Sequence, residues 1–340
     1  MIRAALALLS LIAVSVSAAA QERVTVGTMR AVSNSALFVA AAEGYFKAEG
    51  LDVDMTAYQT EKDVADAVAS GATDFGLGAF TPAAYSYASR GLMKAVAAQV
   101  REKADYEGNQ VIVSNHAYAR GVRKLENLAN LPVAVTQIGS AFHYQVGQIA
   151  RVKKFDFKSV TIKPLQTYDA IAREIGNGKV DAAILPGHYA RELLVASQAK
   201  LVGWVSEVDE QQFGALFVSA KALAERREVV DKFVRAYRRG VADYYQAFMR
   251  HDRYGKRISN SRSREVATLI ARYVFPGKPI GTAAATVESS AYFMDPQGRL
   301  DAADVARQVE WFKALGLVEA SVDAAKIIDA SFTPAAARTR

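Results

Sequence analysis

The chain contains no cysteine. That absence excludes disulfides, thiolate metal sites, iron–sulfur clusters, thiol nucleophiles and a lipidated N-terminal cysteine. Proline is scarce, at 8 residues in 340, and 51% of the chain is hydrophobic, which excludes a disordered or collagen-like composition. Beyond the first twenty residues no run is long and apolar enough to cross a bilayer. A large excess of one charge is missing too. The 42 Lys and Arg against 35 Asp and Glu leave a formal charge of +7 that is spread along the chain. So mild an excess suits small anions or surfaces better than nucleic acid, and no nucleic-acid partner is expected.

The length predicts two domains. Residues 1–20 have the form of an export signal, with Arg3 as the positive start, an apolar run over 4–16, and Ala18 and Ala20 flanking the cut before Gln21. Without a cysteine to carry lipid, the processed protein is expected free in the periplasm.

The rest alternates short strands with helices, the pattern of an α/β fold with parallel strands and crossover helices. Strands are predicted at 24–28, 53–55 and 74–78. Ser33 or Asn34 caps a first helix with Leu37, Ala41 and Tyr45 on one face, ending near Gly50. Thr60 caps a second helix, and Pro82 opens a third that ends at Gly91. This pattern recurs at a constant offset of 107 residues. Val26 falls on Val133, Ser33 on Ser140, Gln59-Thr60 on Gln166-Thr167, and Gly71 and Asp74 on Gly178 and Asp181. The C-terminal third differs. Val229, Phe233, Tyr237, Val241, Tyr244 and Phe248 form a helical stripe suited to core packing, and helices also fit 263–273, 302–315 and 322–330.

Ligands of open parallel sheets bind beyond the carboxyl ends of the strands. Two facing units would pool four loops, at 29–35, 79–82, 137–142 and 186–189. Several start helices, whose free N–H groups and dipoles favour an anion. Ser33, Thr81 and Ser140 add hydroxyls, and Arg30 could clamp a carboxylate or sulfonate. Each hydroxyl has the competing role of a plain helix cap, and Arg30 that of a solvated loop side chain. Phe80, Phe142 and Phe213 could wall an aromatic ligand or belong to the core. His143 and His188 could donate to an oxyanion or simply pack. No third ligand stands at a recognisable spacing from them, so neither a metal nor a cofactor is expected.

The opening VTVGTMRAVSNSALFVAAAEGYFKAEGLDVDM, followed in order by ASGATDFGLGAF, LANLPVAVTQIGSAFHY, IGNGKVDAAIL and GRLDAADVARQVEWFKALGLV, resembles the nitrate/sulfonate/taurine-type periplasmic binding proteins, a group that also includes thiamine-pyrimidine synthases. The resemblance covers nearly all of the chain after residue 20. It implies a type II two-lobed α/β fold with a two-strand hinge, one lobe of 21–108 plus 216–340 and the other of 109–215. It further implies a monomer that hands a small anion to an ABC-transporter permease. The family's ligand loops fall on Arg30, Ser33 and Asn34; on Gly78, Ala79, Phe80 and Thr81; on Gly139, Ser140, Ala141 and Phe142; and on Gly187 and His188, with Phe213 nearby. One departure is Leu185-Pro186-Gly187-His188, where taurine- and sulfonate-binding members often carry an aromatic followed by Asp-Pro or Ala-Pro. No acid stands there for a substrate amine. That weakens taurine and leaves nitrate, sulfonates and aromatic carboxylates. The synthases' iron site needs cysteines that this chain lacks. A lyase or dehydratase using His188 or His143, or a sensor for a membrane kinase, are the alternative readings.

Overall fold

The computed structural model describes residues 21–253 and 257–334. The export signal read over 1–20 lies outside the described residues. Twelve strands are described: β1 (Glu22–Thr28), β2 (Leu51–Ala57), β3 (Phe75–Ala79), β4 (Met93–Ala98), β5 (Val100–Arg101), β6 (Gln110–Ser114), β7 (Pro132–Val135), β8 (Thr161–Pro164), β9 (Ala182–Leu185), β10 (Ala199–Trp204), β11 (Gly214–Ser219) and β12 (Phe293–Met294). They build two five-stranded sheets, in the orders β2-β1-β3-β11-β4 and β10-β6-β9-β7-β8, and a small β12-β5 pair.

The two sheets repeat the same construction. In the first, Val26 of β1 pairs in parallel with Met55 and Phe75. In the second, Val133 of β7 pairs in parallel with Ile162 and Ala182, each partner again 107 residues on. The helix caps repeat as well. Thr60 accepts from the Asp63 N–H, and Thr167 from the Ala170 N–H. β6 and β11 are the antiparallel members, each the first sheet strand after the chain has crossed from the other lobe. Between lobes run two segments, 99–109 and 205–213. They lie side by side, with Glu102 N–H donating to Gln211 O at 2.9 Å and Phe213 N–H to Val100 O at 3.1 Å.

Buried polar groups fasten this hinge. The Glu102 carboxylate accepts from the Asn109 N–H at 3.0 Å, and Gln145 donates to Gln211 Oε1 at 2.8 Å. Asp304, from the C-terminal helix Ala302–Ala314, accepts from the Gln212 N–H at 2.6 Å. Burial, with the nearby Asp209 charge, pushes the Glu102 pKa up to about 8 despite the Asn109 and Gln145 donors.

The predicted apolar stripe is the helix Arg227–Phe248. Its Phe233 stacks between Phe75 of β3, at 3.9 Å, and Phe46 at 4.6 Å, which fixes this helix on the first lobe. Three local readings are corrected. The helix expected through Tyr45 is broken, because Gly44 adopts a left-handed φ of 73° and separates Ser35–Ala42 from Tyr45–Ala48. Asn34 makes no side-chain cap bond. It donates instead to Thr28 Oγ1 and the Met29 carbonyl, at 2.8 and 3.0 Å. The helix expected over 322–330 is two single turns, Ala324–Lys326 and Ala330–Phe332. Asp323 and Asp329 each cap one turn, and Ile328 bridges to Ala95 of β4, so the segment follows the sheet edge instead of coiling. A helix at Ile280–Ser289 was not foreseen. Among the described residues no helix is long and apolar enough to cross a membrane.

Candidate functional site

Beyond the carboxyl ends of the parallel strands, between the lobes, lie two adjoining cavities. The inner one admits a water-sized sphere over only about 20 Å³ and is lined by Met29, Gln59, Thr60, Glu61 and Thr81 of the first lobe and Thr136, Gln137, Ser140, Gln166, Thr167 and Tyr168 of the second. The outer one, of about 600 Å³, shares Met29, Gln59, Thr167 and Tyr168. It adds Arg30, Tyr58, Asp169, His188, Tyr189 and Glu192, with a third wall from Val274, Phe275, Pro276 and Lys278 of the C-terminal region. Lys278 pairs with Glu192, tying that wall to the second lobe.

The lining comes in equivalent pairs. Met29 and Thr136, Arg30 and Gln137, Gln59 and Gln166, Thr60 and Thr167, Glu61 and Tyr168, and Thr81 and His188 are each 107 residues apart. Each pair occupies the same turn of its lobe, because the strands that carry the turns repeat in register.

The hydroxyls are oriented by helix caps. Thr60, Thr81, Ser140 and Thr167 each accept from a backbone N–H three residues on, at 3.1–3.2 Å. Each hydroxyl has an O–H still free to donate. Glu61 begins the helix Glu61–Ala69, and its carboxylate accepts from the Ala79 N–H at the end of β3, at 2.8 Å. Gly78 makes this approach possible, since a Cβ there would lie 2.5 Å from Glu61 Oε2. Burial pushes the Glu61 pKa up to about 7, against the lowering effect of the Ala79 N–H. Among the described residues it forms no ion pair.

Of the residues singled out in the sequence, Arg30, Thr81, Ser140 and His188 line the cavities. Arg30 is exposed. The others sit behind the lining. Ser33 and Asn34 are buried. Phe80 stacks on Tyr85 and meets Phe217 edge-on. Phe142 packs between Tyr168 and Phe213, beneath the inner cavity. Ala79 lends its N–H to Glu61, so that donor is already taken. Ala141 is the first residue of the helix that Ser140 caps. The Gly139 loop reaches across to the first lobe, where a Cβ would meet Pro82 Cγ at 2.8 Å. Gly187 lies against Ser290 and Gln110.

His143 is a packing residue. Its Nδ1 accepts from the Gly139 N–H at 3.1 Å, its ring meets Trp311 edge-on, and burial lowers its pKa to about 4. His188 is held neutral more strongly, at about 3, by burial first and by Lys278 second. Neither of its ring nitrogens has a hydrogen-bond partner among the described residues.

Glu61, Tyr58, Gln59, Thr167, Tyr168 and the wall at 274–278 were missed. The Gln-Thr pairs were visible as markers of the repeat, and that signal would have found Gln59 and Thr167 had the turn after the second strand of each unit been counted as a ligand loop.

Two lobes of this strand order, joined by two antiparallel segments over a shared cavity, define a type II periplasmic-binding-protein fold. Solved structures agree. The chain resembles the periplasmic aliphatic sulphonate binding protein SsuA from Escherichia coli, with a TM-score of 0.69 at 15% identity, covering 94% of each chain. It resembles the alkanesulfonate-binding protein SsuA from Xanthomonas axonopodis bound to MOPS, at 0.70 and 16%, covering 92% of this chain and 99% of that one. It also resembles the periplasmic nitrate-binding protein NrtA from Synechocystis PCC 6803, at 0.70 and 11%, covering 91% and 86%. No curated protein matches by sequence. The NMT1/THI5-like family matches over residues 32–247, and the chain belongs to that family.

Proposed function

We propose that this protein is a periplasmic solute receptor. It captures a small anion, a sulfonate, nitrate or aromatic carboxylate, between its lobes and hands it, as a monomer, to an ABC-transporter permease in the inner membrane. The observation that carries this reading is the cavity lined by equivalent pairs from two lobes that a hinge connects. Such a site is completed when the lobes meet, so ligand and closure stabilise each other. Arg30 and the cap hydroxyls supply donors for an acidic group. The lobe limits in this reading are 21–108 with 216–340, and 109–215.

An enzyme using either histidine as its base is disfavoured by the state of the two rings. A general base near neutral pH needs a pKa near that pH and an orienting partner. His188 is lowered to about 3 with both nitrogens unpartnered, and His143 is spent on the Gly139 loop.

A thermal-shift screen of residues 21–340 against sulfonates, nitrate and aromatic carboxylates tests the reading. At a hundredfold excess over Kd a true ligand adds about 2.7 kcal/mol of stability and raises the melting temperature. A screen in which no acid moves the transition would overturn it.

A further inference from the structure

The two cavities differ in charge and in size. The inner one is much the smaller, with about 20 Å³ open to the centre of a water-sized sphere against about 600 Å³ in the outer one. The one charged side chain in its lining is Glu61. Its Oε2 is fixed on the Ala79 N–H, and no described cation pairs with it. The remaining neighbours there are neutral: amides, hydroxyls and the Met29 thioether. A partly enclosed carboxylate with no counter-ion is costly unless it takes up a proton or something brings it hydrogen-bond donors or positive charge. The outer cavity has the opposite unpaired charge. Its acids are engaged, Glu192 by Lys278 and Asp169 by the Tyr189 hydroxyl, whereas Arg30 forms no ion pair among the described residues. Its walls include the rings of Tyr58, Tyr168, Tyr189 and Phe275.

We propose that the site takes an extended, ring-bearing zwitterion, with a water-sized amino group on Glu61 in the inner cavity and an acidic end toward Arg30 in the outer one. This rests on the solute-receptor reading and narrows it. It supplies, from the turn after β2, the acidic partner that the turn after β9 lacks.

Matched pairs that exchange ammonium for methyl test the assignment by calorimetry on residues 21–340 and on Glu61→Gln, which preserves shape and can still accept from Ala79. The probes are 4-(aminomethyl)benzoate against 4-ethylbenzoate, and the short pair 2-aminoethanesulfonate against propane-1-sulfonate. The long amine should bind at least tenfold tighter than its methyl partner and than the short amine, and Glu61→Gln should erase the long pair's gap without lowering the melting temperature of the free protein. Tight binding of 4-ethylbenzoate or propane-1-sulfonate with no advantage for the amines would overturn the assignment and leave the receptor reading standing. A gap that survives in Glu61→Gln would do the same. Equal affinity of the short and long amines would overturn the two-cavity span. Binding of no probe by either protein, together with a blank thermal screen, would remove the receptor reading and this assignment with it.

Discussion

At six pairs of positions 107 residues apart the two lobes face each other with equivalent turns, and at four of the six the chemistry is unequal. The first lobe presents Arg30 and Glu61, where the second presents Gln137 and Tyr168. The second lobe's own acids in the lining, Asp169 and Glu192, face Tyr189 and Lys278. Its His188 is held neutral. The strand register, the threonine caps and the left-handed glycines at 71 and 178 match. Architecture is therefore shared and charge reading is not. In this account the first lobe selects the ligand's charges, and the second closes over it with amides, hydroxyls and rings.

The comparison breaks most visibly if both charges are removed. The double variant Arg30→Gln with Glu61→Gln removes both charges of the first lobe that form no ion pair among the described residues, and it should lose ligand affinity by a hundredfold or more in calorimetry without lowering the melting temperature of the free protein. Arg30→Gln alone removes one charge-assisted contact, worth roughly 1.5–3 kcal/mol, or about ten- to a hundredfold. The reciprocal change in the second lobe, Gln137→Ala, removes a neutral donor and should cost only about 1 kcal/mol of binding. If Gln137→Ala proved the more damaging, the division of labour between lobes would be wrong. Ser140→Ala should lower unfolding stability by about 1 kcal/mol through the lost cap on the His143 N–H, with a smaller effect on affinity.

The hinge adds a pH test that leaves the cavity alone. Glu102 titrates at about 8 when folded, against an ordinary 4.5, so the folded protein holds a proton that the unfolded chain has released. Its contribution is fully present below pH 4.5 and is lost as the pH rises through 8. Glu61, raised to about 7, and Asp209, raised to about 6, run in the same direction. His143 and His188, lowered to about 4 and 3, run the other way, but only up to their unfolded value of 6.5. Denaturant unfolding between pH 6.5 and 8 should thus show falling stability. Glu102→Gln should remove up to roughly 2 kcal/mol of that fall, since one proton per pH unit is worth about 1.4 kcal/mol.

Much of the scaffold could be read from the chain. The 107-residue repeat is local information, because β-branched runs, threonine caps and turn glycines act within a few residues. Thr81, Ser140, Arg30 and His188 follow directly from it, since they stand just after strand ends. Glu61 does not. In sequence it is an acid in the first turn of a helix, an ordinary place for one, and its significance comes from burial against the Ala79 N–H and from the lack of a cation nearby. Both are properties of the packed cavity. Phe80 and Phe142 show the converse: an aromatic beside a ligand loop turned out to pack behind it. The short turns over 324–332 replaced the expected helix because pairing with β4 outweighed a weak local preference.

The central claim is that the cavity between the lobes reads both charges of one organic ligand. Its most direct test is native mass spectrometry of the protein purified from its own cells, followed by identification of the released molecule. The account predicts one molecule per chain, an organic acid carrying an amino group, retained by the wild type and absent from Arg30→Gln with Glu61→Gln. A bare inorganic anion, or an organic acid without nitrogen held equally by both proteins, would contradict it.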